Sequence, residues 1–103
     1  METRVKVLCV CERGLNRSTT AQWALSHEPD TEVLSAGLHT LSEDTLAMLF
    51  DWADRIILLD KRYVNSVPRE KLVLWDVGPD RYEHHFNPEL VQLVRGYARW
   101  WGR

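Results

Sequence analysis

Cysteine, glycine and proline are all scarce in this chain, at 2, 5 and 4 of 103 residues. The two cysteines, Cys9 and Cys11, stand two apart in one apolar stretch and cannot easily bridge each other. That excludes a disulfide-stapled scaffold and fits a reducing compartment, where a free thiolate survives. So few glycines and prolines, with no repeat, linker or low-complexity tract, exclude fibrous and disordered classes. Long hydrophobic runs are missing too. No stretch reads as a signal peptide or a membrane span, and the chain is expected to be cytoplasmic. Positive charge is not in excess either, the formal net charge being −2. With no overall field to draw in nucleic acid or an anionic membrane, neither is an expected partner, and any anion selectivity has to be local.

What is present is globular material, 45% hydrophobic and 27% charged, enough for one core in a single domain spanning residues 1–103. Val5-Lys6-Val7-Leu8-Cys9-Val10 reads as a strand. It runs into Cys11-Glu12-Arg13-Gly14-Leu15-Asn16-Arg17-Ser18, and a plausible helix follows to Leu25. A loop between a strand end and a helix N-terminus points several backbone N–H groups into one concavity, where the helix dipole also favours negative charge. Glu12, Arg13, Gly14, Leu15, Asn16 and Arg17 therefore read as a phosphate cradle. The same field favours a thiolate at Cys11. Arg17 adds a planar fork of donors that matches two phosphoryl oxygens, and Ser18 a hydroxyl able to donate to the sulfur. A nucleophile, a cradle and a fixed cation within eight residues describe covalent phosphoryl transfer through a phosphocysteine. The plainer alternative is that a cysteine at a strand end is a small buried hydrophobe and the Cys-to-Arg spacing accidental.

Further along, Glu32 to Ser35 reads as a second strand ending at Ala36-Gly37. Thr40 and Glu43 have capping-box spacing, and Leu41, Thr45, Leu46, Leu49, Phe50 and Ala53 share one helical face. Ile56 to Leu59 is a continuous apolar run of the kind a parallel strand covered on both faces requires. Asp60 is placed to cap a short helical piece, Lys61 to Ser66, which Pro68 closes. Leu72 to Trp75 reads as the fourth strand, and Asn87-Pro88-Glu89 opens a last helix. Strands alternating with helices predict a three-layer α/β sandwich: a four-stranded parallel sheet of order 2-1-3-4 with helices on both faces. The winding direction then reverses beside strand one, and ligands bind at that point, beyond the strand's carboxyl end. The loop that begins at Cys11 leaves from there.

In Val7 to Cys11, Arg17-Ser18, Ser35-Ala36-Gly37 and Asp54-Arg55-Ile56-Ile57 leading to Asp60, the chain resembles the low-molecular-weight protein tyrosine phosphatase family. The tail, Asp76 to Tyr82 and Asn87 to Leu90, resembles the acid loop and last helix of shortened, phosphatase-like members. The resemblance implies a phosphomonoester hydrolase with a phosphorylated protein or small molecule as substrate and inorganic phosphate as product. Cys11 attacks phosphorus in line, Arg17 and the loop amides hold the equatorial oxygens, and Ser18 eases the thiolate. An acid must protonate the leaving oxygen and later activate water. Asp80 is the choice for that role, and Asp76 the second, read preferentially as a strand-end acid that ties down its own loop. Tyr82 is a candidate for the substrate pocket, stacking on an aryl ring, or else part of a small packing cluster. The sequence departs from the family at Gly14, where an Asn commonly braces the loop, and at Asn16, where many members carry a second cysteine. No cofactor or metal is implied, and His84-His85 reads as a solvated loop. The weighed alternatives are a phosphocysteine carrier or a phosphate-binding module without efficient hydrolysis. Arsenate reduction is disfavoured by the cysteine count.

Overall fold

The computed structural model describes residues 4–79, 81–82 and 84–101. Strands β1 (Val5–Cys11), β2 (Thr31–Gly37), β3 (Arg55–Leu58) and β4 (Leu72–Leu74) form one sheet in the order β2-β1-β3-β4, with every pairing parallel. Helices α1 (Arg17–Leu25), α2 (Glu43–Trp52) and α3 (Pro88–Ala98) follow β1, β2 and β4, and short 3₁₀ turns span Lys61–Ser66 and Arg69–Lys71. The expected architecture and strand order hold.

Why β1 reads as an unbroken apolar run follows from the two layers that cover it. Side chains alternate across a strand. Val7, Cys9 and Cys11 pack with Ala21 and Leu25 of α1 and with Leu90 and Val94 of α3. Leu8 and Val10 turn the other way, into a second core with Ile56, Leu58 and Val67, flanked by Leu49 and Phe50 of α2. Each such aliphatic side chain stabilises the fold by about 1.5–3 kcal/mol when fully buried. The lattice of buried side chains thus pins the carboxyl end of β1, and with it everything that follows Cys11.

One local expectation shifts. The N-cap of α2 is Ser42, whose hydroxyl accepts from the Thr45 N–H at 3.1 Å, and not Thr40. Thr40 is engaged elsewhere, donating to the Arg13 and Gly37 carbonyls at 3.3 and 3.4 Å. The turn after β3 begins as expected, with Asp60 accepting from the Arg62 N–H at 3.0 Å. Asn87 likewise caps α3 with Pro88 at its first position.

Candidate active site

The register of β1 with β2 brings Cys11 opposite Gly37, and that of β1 with β3 brings Val10 opposite Leu58. The crevice between the two crossovers therefore opens directly above Cys11, as the strand order requires. Pairing continues past the strands. Leu38 and His39 donate their N–H groups to the Cys11 and Glu12 carbonyls at 2.9 and 2.8 Å. These bonds and that of Thr40 brace the loop from behind, in place of a side-chain brace at Gly14. Gly14 lies at φ +74°, and a Cβ there would sit 2.7 Å from the Gly37 nitrogen and 2.9 Å from the Ala36 carbonyl carbon. Glycine is required on both counts. The close approach lets the loop curl back, so that the Gly14 N–H donates to the Cys11 sulfur at 3.1 Å.

Cys11 is buried, 1% exposed, with its Sγ 3.2 Å from the Ser18 hydroxyl oxygen. The thiol can donate to that oxygen, and the hydroxyl can turn to donate once the sulfur is charged. Cys9, on the same face of β1, is different: burial, reinforced by a charge on Cys11, pushes its thiol far up. Cys9 thus stays a neutral core side chain, as expected, and both cysteines are free.

Arg17 opens α1 and is fully buried. One nitrogen, Nη1, donates to the Asp60 carboxylate and to the Gly78 carbonyl, each at 2.9 Å. Its Nε and Nη2 are buried with no partner among the described residues. Two unsatisfied charged donors in a protein interior demand an explanation, and an anion in the cradle supplies one. Asp60, 2% exposed, is also gripped by Arg62, whose Nε reaches both oxygens at 3.1 and 3.2 Å and whose Nη2 reaches Oδ2 at 2.6 Å. Hydrogen bonds from Arg62 and then Arg17 hold the Asp60 carboxyl well below the usual carboxylate range. Sequence reasoning treated Asp60 as a helix cap and missed Arg62 entirely. The available signal was position, since the carboxyl end of the strand beside β1 faces the same crevice.

Glu12 sits between the cradle and the turn after β3. Its carboxylate accepts from the Tyr63 hydroxyl at 2.5 Å and lies 3.7 Å from His39 Nδ1 and 3.9 Å from Arg62 Nη2. That hydrogen bond, with Arg62 and His39 adding, lowers the Glu12 carboxyl, and the same hydrogen bond raises the Tyr63 phenol. Arg13 and Leu15 face outward, the latter 61% exposed.

The loop after β4 is tied to the cradle on both sides of the predicted acid. Gly78 accepts from Arg17, and the Tyr82 carbonyl accepts from Asn16 Nδ2 at 2.7 Å. Asp80 itself lies outside the described residues. Asp76 accepts from the Gly78 N–H at 3.1 Å and lies 3.9 Å from Lys61 Nζ, which makes it a brace of its own loop. Tyr82 is 4% exposed, and its hydroxyl donates to the Val77 carbonyl at 2.7 Å while the Arg81 guanidinium covers its ring at 4.8 Å. Of the two readings left open by the sequence, the structure has the packing one. A ring so enclosed has no free face for a substrate.

A parallel sheet with a cysteine-to-arginine loop at its switch point is the class of structure that these observations define. No family model matches the sequence, and no relative is found among curated proteins. Solved structures do match. YfkJ from Bacillus subtilis superposes with a TM-score of 0.71 at 18% identity, covering 94% of this chain and 91% of that one. A low-molecular-weight protein tyrosine phosphatase from Streptococcus pyogenes gives 0.68 at 20% identity, over 92% and 89%. A thioredoxin-dependent arsenate reductase from Corynebacterium glutamicum gives 0.61 at 20% identity, over 94% of this chain and 59% of that one. The chain has the fold of the low-molecular-weight protein tyrosine phosphatases, and that fold also carries an arsenate reductase.

Proposed function

We propose that this protein is a phosphomonoester hydrolase that works through a phosphocysteine at Cys11, with aryl phosphates such as phosphotyrosine as the substrate class. The observation that carries this is the buried Arg17 fork. Nη1 is fixed by Asp60 and Gly78, while Nε and Nη2 stay open in the loop that holds the nucleophile. The loop also leads directly into the N-terminus of α1, where the helix dipole favours an anion.

In the first step the Cys11 sulfur forms a bond to phosphorus as the ester P–O bond breaks. Arg17 and the cradle amides hold the equatorial oxygens, and the leaving oxygen takes a proton from Asp80. In the second, water attacks phosphorus, its proton passes to the Asp80 carboxylate, and the P–S bond breaks to release inorganic phosphate. The attacking sulfur is the thiolate, and Ser18 donates to it before the attack and again as it departs. Support for Asp80 comes from the anchoring of Gly78 and Tyr82 to the cradle. Leu15, exposed on the rim, suits an apolar ring on the leaving group.

Against arsenate reduction stands the cysteine inventory: Cys9 is buried and neutral, and no third cysteine exists to pass electrons on. The test is hydrolysis of a chromogenic aryl phosphate by wild type and by Cys11→Ser, together with trapping of a labelled phosphoryl group on Cys11. Loss of both turnover and label in the variant is expected. Equal rates in the two proteins overturn the reading.

A further inference from the structure

We propose that Arg62 is a positioning residue for the phosphate-binding Arg17, acting through Asp60 from the surface end of a guanidinium–carboxylate–guanidinium chain. The proposal rests on the reading of the cradle as a phosphate site. Asp60 Oδ2 is the shared atom, accepting from Arg17 Nη1 at 2.9 Å and from Arg62 Nη2 at 2.6 Å. The Arg62 Nε spans both carboxylate oxygens, and its backbone N–H holds Oδ1. Three of these four contacts from Arg62 belong to its side chain. Without them Asp60 keeps, among the described residues, the Arg62 backbone N–H and Arg17 Nη1, so its carboxylate torsion is less constrained and the oxygen that orients Arg17 turns with it.

Orientation matters because, among the described residues, Arg17 is otherwise fixed by a single further bond, to the Gly78 carbonyl. The direction of Nη1 sets where Nε and Nη2 point, and those two donors are the ones left open. Charge works in the same sense. One carboxylate shared by two cations leaves the Arg17 charge incompletely neutralised and available to a dianion, whereas Asp60 alone would pair with it fully. Arg62 also stands 3.9 Å from Glu12, the residue after the nucleophile, and so faces both arms of the cradle from the turn after β3. Arg62 itself is 55% exposed, which makes it a residue that can be changed without opening the core.

Lysine cannot replace it. An ammonium is a point charge and does not bridge two carboxylate oxygens as the planar fork does. The experiment compares wild type, Arg62→Ala, Arg62→Lys and Arg62→Ala with Glu12→Gln. It measures kcat and KM on an aryl phosphate and, independently of turnover, orthophosphate affinity by calorimetry. Arg62→Ala is expected to lower kcat and weaken orthophosphate binding by about tenfold each, the scale of a sub-ångström misplacement of a catalytic group. Arg62→Lys is expected to recover less than a third of either loss, and Glu12→Gln to recover none.

A change below twofold in Arg62→Ala overturns the proposal. So does full recovery by lysine, which would make Arg62 a point charge only, and so does recovery by Glu12→Gln, which would route its effect through Glu12. If Arg62→Ala does not fold, Arg62→Lys is judged by the same orthophosphate threshold. Should wild type hydrolyse no phosphomonoester, the proposed reaction fails while orthophosphate affinity still decides the role of Arg62.

Discussion

Replacing Arg17 by methionine separates what this residue does for the fold from what it does for an anion. Among the described residues Arg17 makes two hydrogen bonds, to Asp60 and Gly78, and leaves two buried donors without partners. Bonds involving a charged group contribute about 1.5–3 kcal/mol each, and an unsatisfied buried donor costs about 1–3 kcal/mol or more. The two sides nearly cancel. Asp60, moreover, is not stranded by the change, because Arg62 still grips it. Arg17→Met is therefore expected to move the stability of the empty protein by no more than about 1 kcal/mol, or about 5 °C in Tm for a chain of this length. With phosphate the balance changes. A ligand at one hundred times its Kd stabilises the native state by about 2.7 kcal/mol, which raises Tm by about 13 °C. Calorimetric scans with and without saturating orthophosphate, on wild type and on Arg17→Met, give the four values needed. The wild type is expected to shift and the variant not. A variant that keeps the phosphate-induced shift refutes the assignment of the open donors to an anion. A variant that loses more than about 4 kcal/mol when empty refutes the cancellation.

Asp80→Asn is expected to lower kcat by about 100-fold on an aryl phosphate with a poor leaving group, while Asp76→Asn stays within threefold, since an amide oxygen still accepts from the Gly78 N–H. The reverse ranking in steady-state kinetics would exchange the two roles. Gly14→Ala forces φ +74° on a residue with a Cβ that meets the backbone of Ala36 and Gly37. The left-handed conformation alone costs about 1–2 kcal/mol, and the strand behind cannot yield, so Tm is expected to fall by about 8 °C or more with loss of activity. A fall under 2 °C would show the loop to be plastic. Asp60 fixes the sign of the acid response. Its folded pKa is held below the unfolded value of about 3.9, so its contribution is complete above that pH and disappears as pH falls toward the folded value. Because Arg62 is the largest cause, urea unfolding of Arg62→Ala between pH 5 and pH 2 is expected to show a shallower loss than wild type. Equal slopes would argue against the coupling.

The sheet was legible because parallel strands announce themselves as apolar runs, and four such runs separated by helical stretches admit few orders. Cys11, Arg17 and Ser18 were legible because they lie within eight residues, and a strand–loop–helix needs no tertiary information. Arg62 and Asp60 were not legible as parts of the site. Their link to Arg17 spans 43 residues of chain, and no local period or spacing encodes it. Thr40 misled for a related reason. Its hydroxyl and that of Ser42 are equally good caps in sequence, and only the approach of Arg13 behind β2 decides which one is free. Tyr82 shows the same limit, because an aromatic in a loop turns inward or outward according to what lies beneath, here the Val77 carbonyl.

A fully buried arginine is an expensive way to hold a fold together. Well-packed hydrophobic residues of the same volume would do as well or better, so the fold gives no reason for a cation at this position. The carboxylate that holds it is itself divided between two guanidinium groups, which leaves the local charge balance open on the positive side. Glu12 closes part of that gap, yet it also accepts from Tyr63 and lies farther from Arg62 than Asp60 does, at 3.9 Å against 2.6 Å. The open Arg17 donors, Nε and Nη2, mark where further negative charge is wanted. An anion with at least two oxygens in one plane, matching Nε and Nη2, completes both the hydrogen bonds and the charge there. A halide would satisfy only the charge. Tm shifts with chloride and orthophosphate at matched ionic strength therefore distinguish a planar-fork site from a merely electropositive one. A shift of the same size with both would reduce the cradle to the latter.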